Sequence, residues 1–444
     1  MGSRVFYRDF RKSYRTVAHA KGAYLYDTEG NRFLDGCGGN TVVNVGYGVE
    51  EVIEAIYGQM KKTSFAHTSR FTSEVQEALA EKLISMAPPG MAKVYFLAGG
   101  SEATETALKM ARQFHLETGN PQKHKIIARW QSYHGNTIGT LSMSGRSFRR
   151  RHYIPYLLNF PHIVASYCYR CPLHKVYGEC GIECAGELER VIQQEGPENI
   201  SAFIAEPVGG SSLAGVSPPK EYYRIIREVC DRYQVLMIMD EVMTGFGRTG
   251  KNFGINHWEV VPDMIAVGKG LTGGYAPAGG LIVHERVAEA FLKGSGSFAH
   301  GHTFVGNPLT CAAGLAVQTY IEKHDLINES ARKGRLLLEM LQKRLDPQIT
   351  GEVRGKGLFI GVELVKDRET KEPLDRKAKT AEAIGDLAFQ KGLHILPGFG
   401  SADGVSGDHL LIAPPFIISQ KEMEELVSIL GEAVDEVKRR TQGA

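Results

Sequence analysis

The middle of the chain alternates short, wholly apolar runs with longer amphipathic stretches. The pattern predicts buried strands at 94–97, 125–128, 202–205, 235–239, 264–267 and 281–283. Between them, residues 102–117 and 220–233 carry the period of amphipathic helices. Strands that are apolar on both faces and alternate with helices are typical of a parallel sheet covered on both sides. We therefore expect an α/β region with a parallel or mostly parallel sheet over roughly residues 70 to 320.

The two ends of the chain follow a different pattern. Residues 20–35 contain two short strand patterns around Glu29-Gly30-Asn31, which predicts a hairpin with its turn there. After about residue 330, long helices alternate with single strands such as 358–364 and 410–413. We expect both ends to build a smaller α+β domain, with its N-terminal part at 1–70 and its C-terminal part at 326–444. The large domain then occupies 71–325.

Composition and charge indicate an ordinary globular protein of 444 residues, with 43% apolar and 23% charged residues. The 52 lysines and arginines nearly balance the 50 aspartates and glutamates, so no global charge favours nucleic acid or an anionic membrane. The densest basic run, Arg149-Arg150-Arg151, is typical of a solvated loop. The sequence shows neither a membrane-spanning run nor the apolar core of a signal peptide, so we expect a cytoplasmic protein.

Seven cysteines, an odd number in a long chain, argue against a secreted disulfide framework. Four of them cluster as Cys168, Cys171, Cys180 and Cys184, a spacing that could hold a structural zinc through four thiolates. The alternative is a loop with reduced cysteines, beside the turn-forming Pro172 and Gly178. We favour the second interpretation and predict no metal.

Three sequence features have a direct chemical use. Gly99-Gly100-Ser101-Glu102 joins a strand to a helix, where free N–H groups can bind a phosphate, although Ser101 could simply cap the helix. Asp240 ends a buried strand, where parallel sheets bind ligands, although it could instead cap the next turn. Lys269 lies between two glycines after another buried strand, where its amine could act as a nucleophile or could be an exposed loop lysine.

Together these features match the three anchors that pyridoxal 5'-phosphate (PLP) needs: donors for its phosphate, an acid for its ring nitrogen and an amine for its aldehyde. Over almost its whole length the chain resembles the class III (ω-) aminotransferases of PLP fold type I. The motifs that carry the resemblance are Leu34-Asp35-Gly36, Gly100-Ser101-Glu102-Ala103, Tyr133-His134-Gly135, Ala205-Glu206-Pro207, Asp240-Glu241-Val242, Gly245-Phe246-Gly247-Arg248-Thr249-Gly250, Lys269-Gly270, Gly301-His302-Thr303-Phe304 and Ala413-Pro414-Pro415.

The resemblance implies a role for each matched residue. Lys269 would bind the cofactor as a Schiff base and then move the proton between the substrate and cofactor carbons. Asp240 would pair with the ring nitrogen. The remaining cofactor-binding residues that it implies are Gly100, Ser101 and Glu102 around the phosphate, Tyr133 and Val242 on the two ring faces, His134 and Glu206 beside them, and Thr303 on the phosphate of the neighbouring subunit.

That role of Thr303 would make the active unit a homodimer, with a dimer of dimers as an alternative. His134 is expected to orient its loop rather than to exchange protons, and Arg248 to be structural. Met243 stands where many members of the family carry a glutamine.

The sequence also lacks an arginine that some members of this family use to bind their substrate. Relatives that act on α-amino or dicarboxylic partners carry an arginine just before the Pro-Pro motif, whereas this chain has none between Arg376 and Arg439. Glu206 therefore lacks the partner it would have there. We expect Arg146, with the basic run after it, to bind a substrate carboxylate instead. Further substrate contacts are expected at Tyr24, Asn40, Thr41 and Phe65.

These expectations favour the transfer of an amino group from an ω-amino acid or amine to a keto acid such as pyruvate. The open alternatives with the same cofactor motifs are a diaminopelargonate-type aminotransferase, an aminomutase and a decarboxylase. A nucleotide-binding or non-catalytic protein is disfavoured, because the chain has no P-loop and no Gly-x-Gly-x-x-Gly fingerprint at the glycine-rich loop.

Overall fold

The secondary structure is given by a computed structural model that describes residues 3–442. The strands are β1 Val17–Lys21, β2 Tyr24–Asp27, β3 Arg32–Asp35, β4 Met91–Leu97, β5 Lys125–Arg129, β6 His162–Ile163, β7 Ile200–Ala205, β8 Leu236–Asp240, β9 Met264–Gly268, β10 Gly279–His284, β11 Thr350–Lys356, β12 Phe359–Leu364, β13 Leu393–His394, β14 Leu396–Phe399 and β15 Asp408–Ile412. The helices are α1 Gly38–Thr41, α2 Glu50–Lys62, α3 Glu74–Met86, α4 Gly100–Glu117, α5 Ile138–Met143, α6 Ser147–Arg150, α7 Glu183–Glu195, α8 Tyr222–Arg232, α9 Glu285–Lys293, α10 Pro308–Lys323, α11 Leu326–Arg344, α12 Thr380–Gln390 and α13 Gln420–Gln442.

A seven-stranded sheet in the order β4-β10-β9-β8-β7-β5-β6 forms the centre of the large domain. Strands β9, β8, β7, β5 and β6 are parallel, and β10 is antiparallel to both of its neighbours. Six strands therefore run in one direction and one runs against them. The mostly parallel sheet expected from the sequence is confirmed, and each predicted strand lies within three residues of its observed limits.

The central strands are apolar on both faces because helices cover both. Ile204 and Ile238 pack with Ala107 of α4 on one face. On the other face, Phe203 packs with apolar residues of α7 and α8 such as Ile226. Alternate strand residues thus enter two different cores, which explains why these runs show no polar alternation.

Residues from both ends of the chain meet in two smaller sheets, ordered β1-β2-β3-β13 and β11-β12-β15-β14. The predicted hairpin is present, and the Gly30 N–H donates to the Asp27 carbonyl across its turn at 3.1 Å. Strand β13 then pairs in parallel with β3, placing Leu393 opposite Leu34. The expected α+β domain built from both termini is confirmed. Its limits at 1–70, 71–325 and 326–444 stay a prediction, and positions 1 and 444 lie outside the described residues.

The direction of the central strands determines where polar side chains can gather. Because β4, β5, β7, β8 and β9 run the same way, their C-terminal ends lie along one edge of the sheet. In open α/β sheets ligands bind at this edge. Within residues 3–442, none of the helices combines the length and the apolar character that a bilayer crossing requires.

Candidate active site

Lys269 follows β9 directly and has a left-handed backbone, with φ at 43°. A non-glycine residue in this region is uncommon and is typical of functional sites. Its Nζ donates to Thr41 Oγ1 at 3.3 Å. Burial lowers the pKa of the Lys269 amine to about 8, against the opposing charges of Asp240 and Glu206. A far larger fraction of this amine is therefore neutral near pH 7 than for an ordinary lysine, as a nucleophile requires.

Asp240 ends β8 with a buried carboxylate. One oxygen, Oδ2, lies 2.8 Å from His134 Nδ1, and the other accepts the Val242 N–H at 3.1 Å. The backbone N–H of His134 donates to Ser144 Oγ at 2.8 Å, and this bond fixes the loop that carries the imidazole. The imidazole of His134 thus holds the carboxylate of Asp240 in place, and its expected role in orienting the loop stays a prediction.

The glycine-rich loop lies against the segment that follows β8. Helix α4 begins at Gly100, and a Cβ there would lie 2.8 Å from Val242 Cγ1. A Cβ on Gly268 would lie 3.4 Å from the Gly100 Cα. Glycine at position 100 thus brings the N–H groups at the start of α4 close to the ends of β8 and β9, where they can bind an anion.

Ser101 and Glu102 occupy this loop as expected, with defined partners. Ser101 Oγ accepts the Asn136 N–H at 3.2 Å. The Glu102 carboxylate accepts the Ala98 N–H at 2.8 Å and so closes the loop on itself. Ser101 keeps its hydroxyl hydrogen available for a ligand, whereas Glu102 holds the loop in shape.

Glu206 follows β7 and is buried. Its two oxygens accept the N–H groups of Gly210 at 3.1 Å and Tyr133 at 3.4 Å. Burial raises the pKa of the Glu206 carboxyl. Glu206 forms no ion pair with any arginine of the described chain, in agreement with the missing partner noted in the sequence.

A cavity of about 410 Å³ opens in front of Lys269. It is lined by Arg8, Asn40, Tyr133, Asn136, Arg146, Arg149, Ser211, Met243, Lys269, Leu396, Pro397, Gly398, His409 and Leu411. The cavity combines one amine with three guanidinium groups and a partly apolar wall. Such a space suits a small organic anion.

Arg146 lies in this cavity, as expected from the sequence. Its Nη1 donates to Ser211 Oγ at 3.1 Å, and its guanidinium lies 4.8 Å from the Phe148 ring centroid. Burial, together with the charges of Arg149 and Arg8 and against the opposing charge of Glu206, lowers the pKa of Arg146 to about 10. The group stays positively charged at neutral pH and forms no ion pair with a carboxylate within residues 3–442.

Only some of the other expected substrate residues reach the cavity. Asn40 lines it, and Thr41 contacts Lys269. Tyr24 lies elsewhere, because its hydroxyl donates to Glu425 Oε2 at 2.9 Å within the smaller domain. Phe65 is also outside the cavity lining; its ring centroid lies 5.8 Å from that of the exposed Phe304. Thr303, next to Phe304, is exposed in the single chain.

The structure corrects the interpretation of the basic run. Arg149 lines the cavity, and Arg150 donates to the Ser142 carbonyl at 2.9 Å, so only Arg151 is an exposed side chain. The solvated-loop prediction was wrong for the first two arginines, because Arg149 lies over two aromatic rings and Arg150 donates to backbone carbonyls. The sequence analysis also missed His409, whose imidazole is buried against the Ser211 carbonyl at 3.3 Å. Burial lowers the pKa of His409 to about 4, so it is neutral.

Arg248 is structural, as expected. Its buried guanidinium donates to the carbonyls of Leu358, Pro414 and Val43 at 3.0, 2.6 and 3.2 Å. These contacts join the large domain to both parts of the smaller one.

All seven cysteines are free thiols. Cys168, Cys171, Cys180 and Cys184 line one small cavity, and burial together with the neighbouring thiols raises the pKa of Cys168 to about 11. The cluster predicted from the sequence therefore exists in space as four thiols around one cavity. The absence of a metal there stays a prediction.

The fold and this site define a PLP-dependent enzyme of fold type I. The family model for class III aminotransferases matches residues 6–434. An uncharacterized aminotransferase of Bacillus subtilis is 40% identical over 99% of both chains. The putrescine–pyruvate aminotransferase of Pseudomonas aeruginosa is 34% identical, with 96% of this chain and 91% of that one covered. A solved amine transaminase from an uncultivated Pseudomonas species, in its PLP-bound form, superposes with a TM-score of 0.90 at 36% identity over 98% of both chains.

This chain belongs to the class III aminotransferase family, whose members depend on PLP. The residues present fit that cofactor. A buried lysine with a lowered pKa, a strand-end carboxylate and a glycine whose Cβ would strike Val242 lie at one edge of the sheet. When bound, PLP supplies an electron sink for the substrate carbon that loses its proton.

Proposed function

We propose that this aminotransferase moves an amino group from an ω-amino acid or amine to a keto acid such as pyruvate. The observation that carries the proposal is that Lys269 and Arg146 line the same cavity. The lysine supplies the amine that transfers the proton. The arginine supplies a guanidinium group that can donate two hydrogen bonds to a carboxylate. The pyruvate-dependent relative in Pseudomonas aeruginosa supports pyruvate as the acceptor.

We assign the reaction chemistry to two residues. The Lys269 amine would take a proton from the substrate carbon and deliver it to the cofactor carbon, and its lowered pKa near 8 keeps part of the amine neutral at physiological pH. The Asp240 carboxylate, fixed by His134, lies ready to accept a hydrogen bond from a protonated ring nitrogen. Arg146 orients the keto acid so that its carbonyl carbon faces the site of amine transfer.

The remaining contacts to the cofactor follow from position. Gly100 and Ser101 offer donors to the phosphate at the start of α4, and Tyr133 and Val242 supply surfaces for the ring. Glu206 and Glu102 keep the surrounding loops in shape through their backbone hydrogen bonds. Within this proposal, Tyr24 and Phe65 have no direct contact to the substrate inside a single chain.

We propose that the active unit is a homodimer in which Thr303 reaches the phosphate site of the partner subunit. In the single chain Thr303 is exposed, and the neighbouring Phe65 and Phe304 form an exposed aromatic pair. Exposed aromatic clusters are typical of interfaces. Free thiols at all seven cysteines support a cytoplasmic location.

The test is a pair of half-reactions on the PLP-loaded protein. An ω-amino acid should remove the visible absorption band of the bound cofactor, and pyruvate should restore it with one alanine formed per turnover. Release of carbon dioxide, or an isomerised donor without any need for pyruvate, would instead identify a decarboxylase or an aminomutase. A response to a single specialised donor would favour the diaminopelargonate type. Lys269→Ala should abolish the cycle, whereas Lys251→Ala, at an exposed lysine, should leave it intact.

A further inference from the structure

We propose that Arg8, Arg146 and Arg149 form an anion site that binds the carboxylate of the amino donor as well as that of the acceptor. The donor class is then amino carboxylates, with diamines and simple amines disfavoured. This inference rests on the proposed function, since it assigns the substrate class of the same cavity. The three side chains share the cavity with Lys269.

None of the three guanidinium groups has an ion-pair partner within residues 3–442. The Nε atoms of Arg146 and Arg149 are buried without an acceptor in the same part of the chain. Burial lowers the pKa of Arg146 and of Arg149, and like charges add to this effect: Arg149 and Arg8 act on Arg146, and Arg8 acts on Arg149, whereas the charge of Glu206 opposes the shift at Arg146. Like charges gathered at a cavity with free donors favour an anionic ligand, because the ligand relieves both the repulsion and the lost hydrogen bonds.

The site is built rather than incidental. The Phe148 ring centroid lies 4.8 Å from the Arg146 guanidinium, 5.2 Å from that of Arg149 and 4.9 Å from the Phe399 ring centroid. Arg149 also lies 5.7 Å from the Tyr133 ring centroid. Stacking on aromatic faces restricts both guanidinium groups before a ligand binds. Less side-chain conformational entropy is therefore lost on binding.

The cofactor phosphate does not account for this cluster. Gly100 and Ser101, where the phosphate is expected, are absent from the residues that line the arginine-rich cavity. The neutral His409 adds no charge, and Glu206, held by the backbone N–H groups of Tyr133 and Gly210, opposes the three arginines with one carboxylate only. The excess positive charge of the three arginines therefore lies at the cavity that holds Lys269.

The charge of the donor's far end should decide its reactivity. A carboxylate there gains charge-assisted hydrogen bonds, a methyl group gains none, and a second ammonium meets like charges. The matched probes are 5-aminopentanoate, pentylamine and 1,5-diaminopentane, which share a five-carbon chain. For the wild-type holoenzyme we expect second-order rate constants of the first half-reaction to fall in that order, by about tenfold or more at each step.

The double variant Arg146→Gln/Arg149→Gln should lower the rate constant for 5-aminopentanoate by about 100-fold and leave that for pentylamine within about twofold. Arg151→Gln, at the exposed arginine of the same run, is the matched control and should change neither. An independent readout is the calorimetric affinity of the holoenzyme for pentanoate, which cannot react. It should exceed that for pentanol and should fall in the double variant but not in Arg151→Gln.

Equal rates for all three donors, or an unchanged pentanoate affinity in the double variant, would overturn the anion site. Loss of PLP affinity in the double variant at normal pentanoate affinity would also overturn it, because the arginines would then serve the cofactor. If no donor reacts while pentanoate still binds through the arginines, the anion site stands and the proposed transamination fails.

Discussion

The Nδ1 atom of His134 lies 2.8 Å from Oδ2 of Asp240, although 106 positions separate the two residues in the chain. Both side chains are buried. The second ring nitrogen of His134, Nε2, is buried without a partner in the described structure. The contact therefore gives His134 one clear task, which is to hold the carboxylate that ends β8.

Replacing His134 with alanine should weaken the hold on Asp240 and thereby the binding of PLP. We expect the dissociation constant of PLP to rise by about tenfold, the effect of one hydrogen bond to a charged group. His134→Asn, which keeps a donor on a shorter side chain, should recover part of that loss. His124→Ala, at an exposed histidine, is the control. Unchanged PLP binding in His134→Ala would show that Asp240 needs no such support.

Gly100→Ala tests the close approach of the glycine-rich loop to Val242. The added Cβ would lie 2.8 Å from Val242 Cγ1, which forces the loop or the valine to move. We expect a loss of about 1–3 kcal/mol in the free energy of unfolding, together with weaker PLP binding. Gly99→Ala is the matched comparison, because its Cβ meets nothing within 4 Å and its φ of −174° suits any residue. Thermal unfolding of both variants should separate them.

The rate at which added PLP attaches to the cofactor-free protein should depend on pH through Lys269. Only the neutral amine attacks an aldehyde, so the rate should rise with pH and level off above about 8, where burial places the pKa. Glu206→Gln removes a charge that raises this pKa, and the midpoint should therefore move to lower pH. A midpoint near that of a free lysine, about 10.4, would contradict the burial of the amine.

Arg146→Ala should raise the KM for pyruvate by about 10- to 100-fold, since the acceptor loses a charge-assisted contact. The rate of the first half-reaction with pentylamine, which has no carboxylate, should change little. Steady-state kinetics with varied pyruvate measures the first effect, and stopped-flow spectroscopy measures the second. An unchanged KM for pyruvate would remove Arg146 from the acceptor site.

Much of the fold was predictable because its signals are local. The runs that became β7, β8 and β9 are apolar on both faces, and only a sheet covered on both sides accounts for that pattern. Lys269 and Asp240 were singled out in the same way, as polar residues at the ends of such runs, and their roles stay a prediction. The motif resemblance then supplied the roles that the patterns alone left open.

The residues that the sequence analysis missed depend on contacts between distant segments. Arg8 reaches the cavity from the N-terminal segment, and His409 reaches it from β15. Arg149 was taken as solvated because three adjacent arginines have no apolar periodicity, and its burial arises from Phe148 and Tyr133. Tyr24 was expected at the substrate, whereas its hydroxyl donates to Glu425, which is 401 positions away in the chain. No local pattern records such pairings.

The most direct test of the central claim is to locate the covalent link between PLP and the protein. Borohydride reduction of the PLP-loaded enzyme, followed by proteolysis and mass spectrometry, should place a reduced pyridoxyl group on Lys269 alone. The same treatment of Lys269→Ala should give no modified lysine in the active-site peptides. A pyridoxyl group on another lysine in the wild-type enzyme, or none at all, would contradict the assignment on which the account depends.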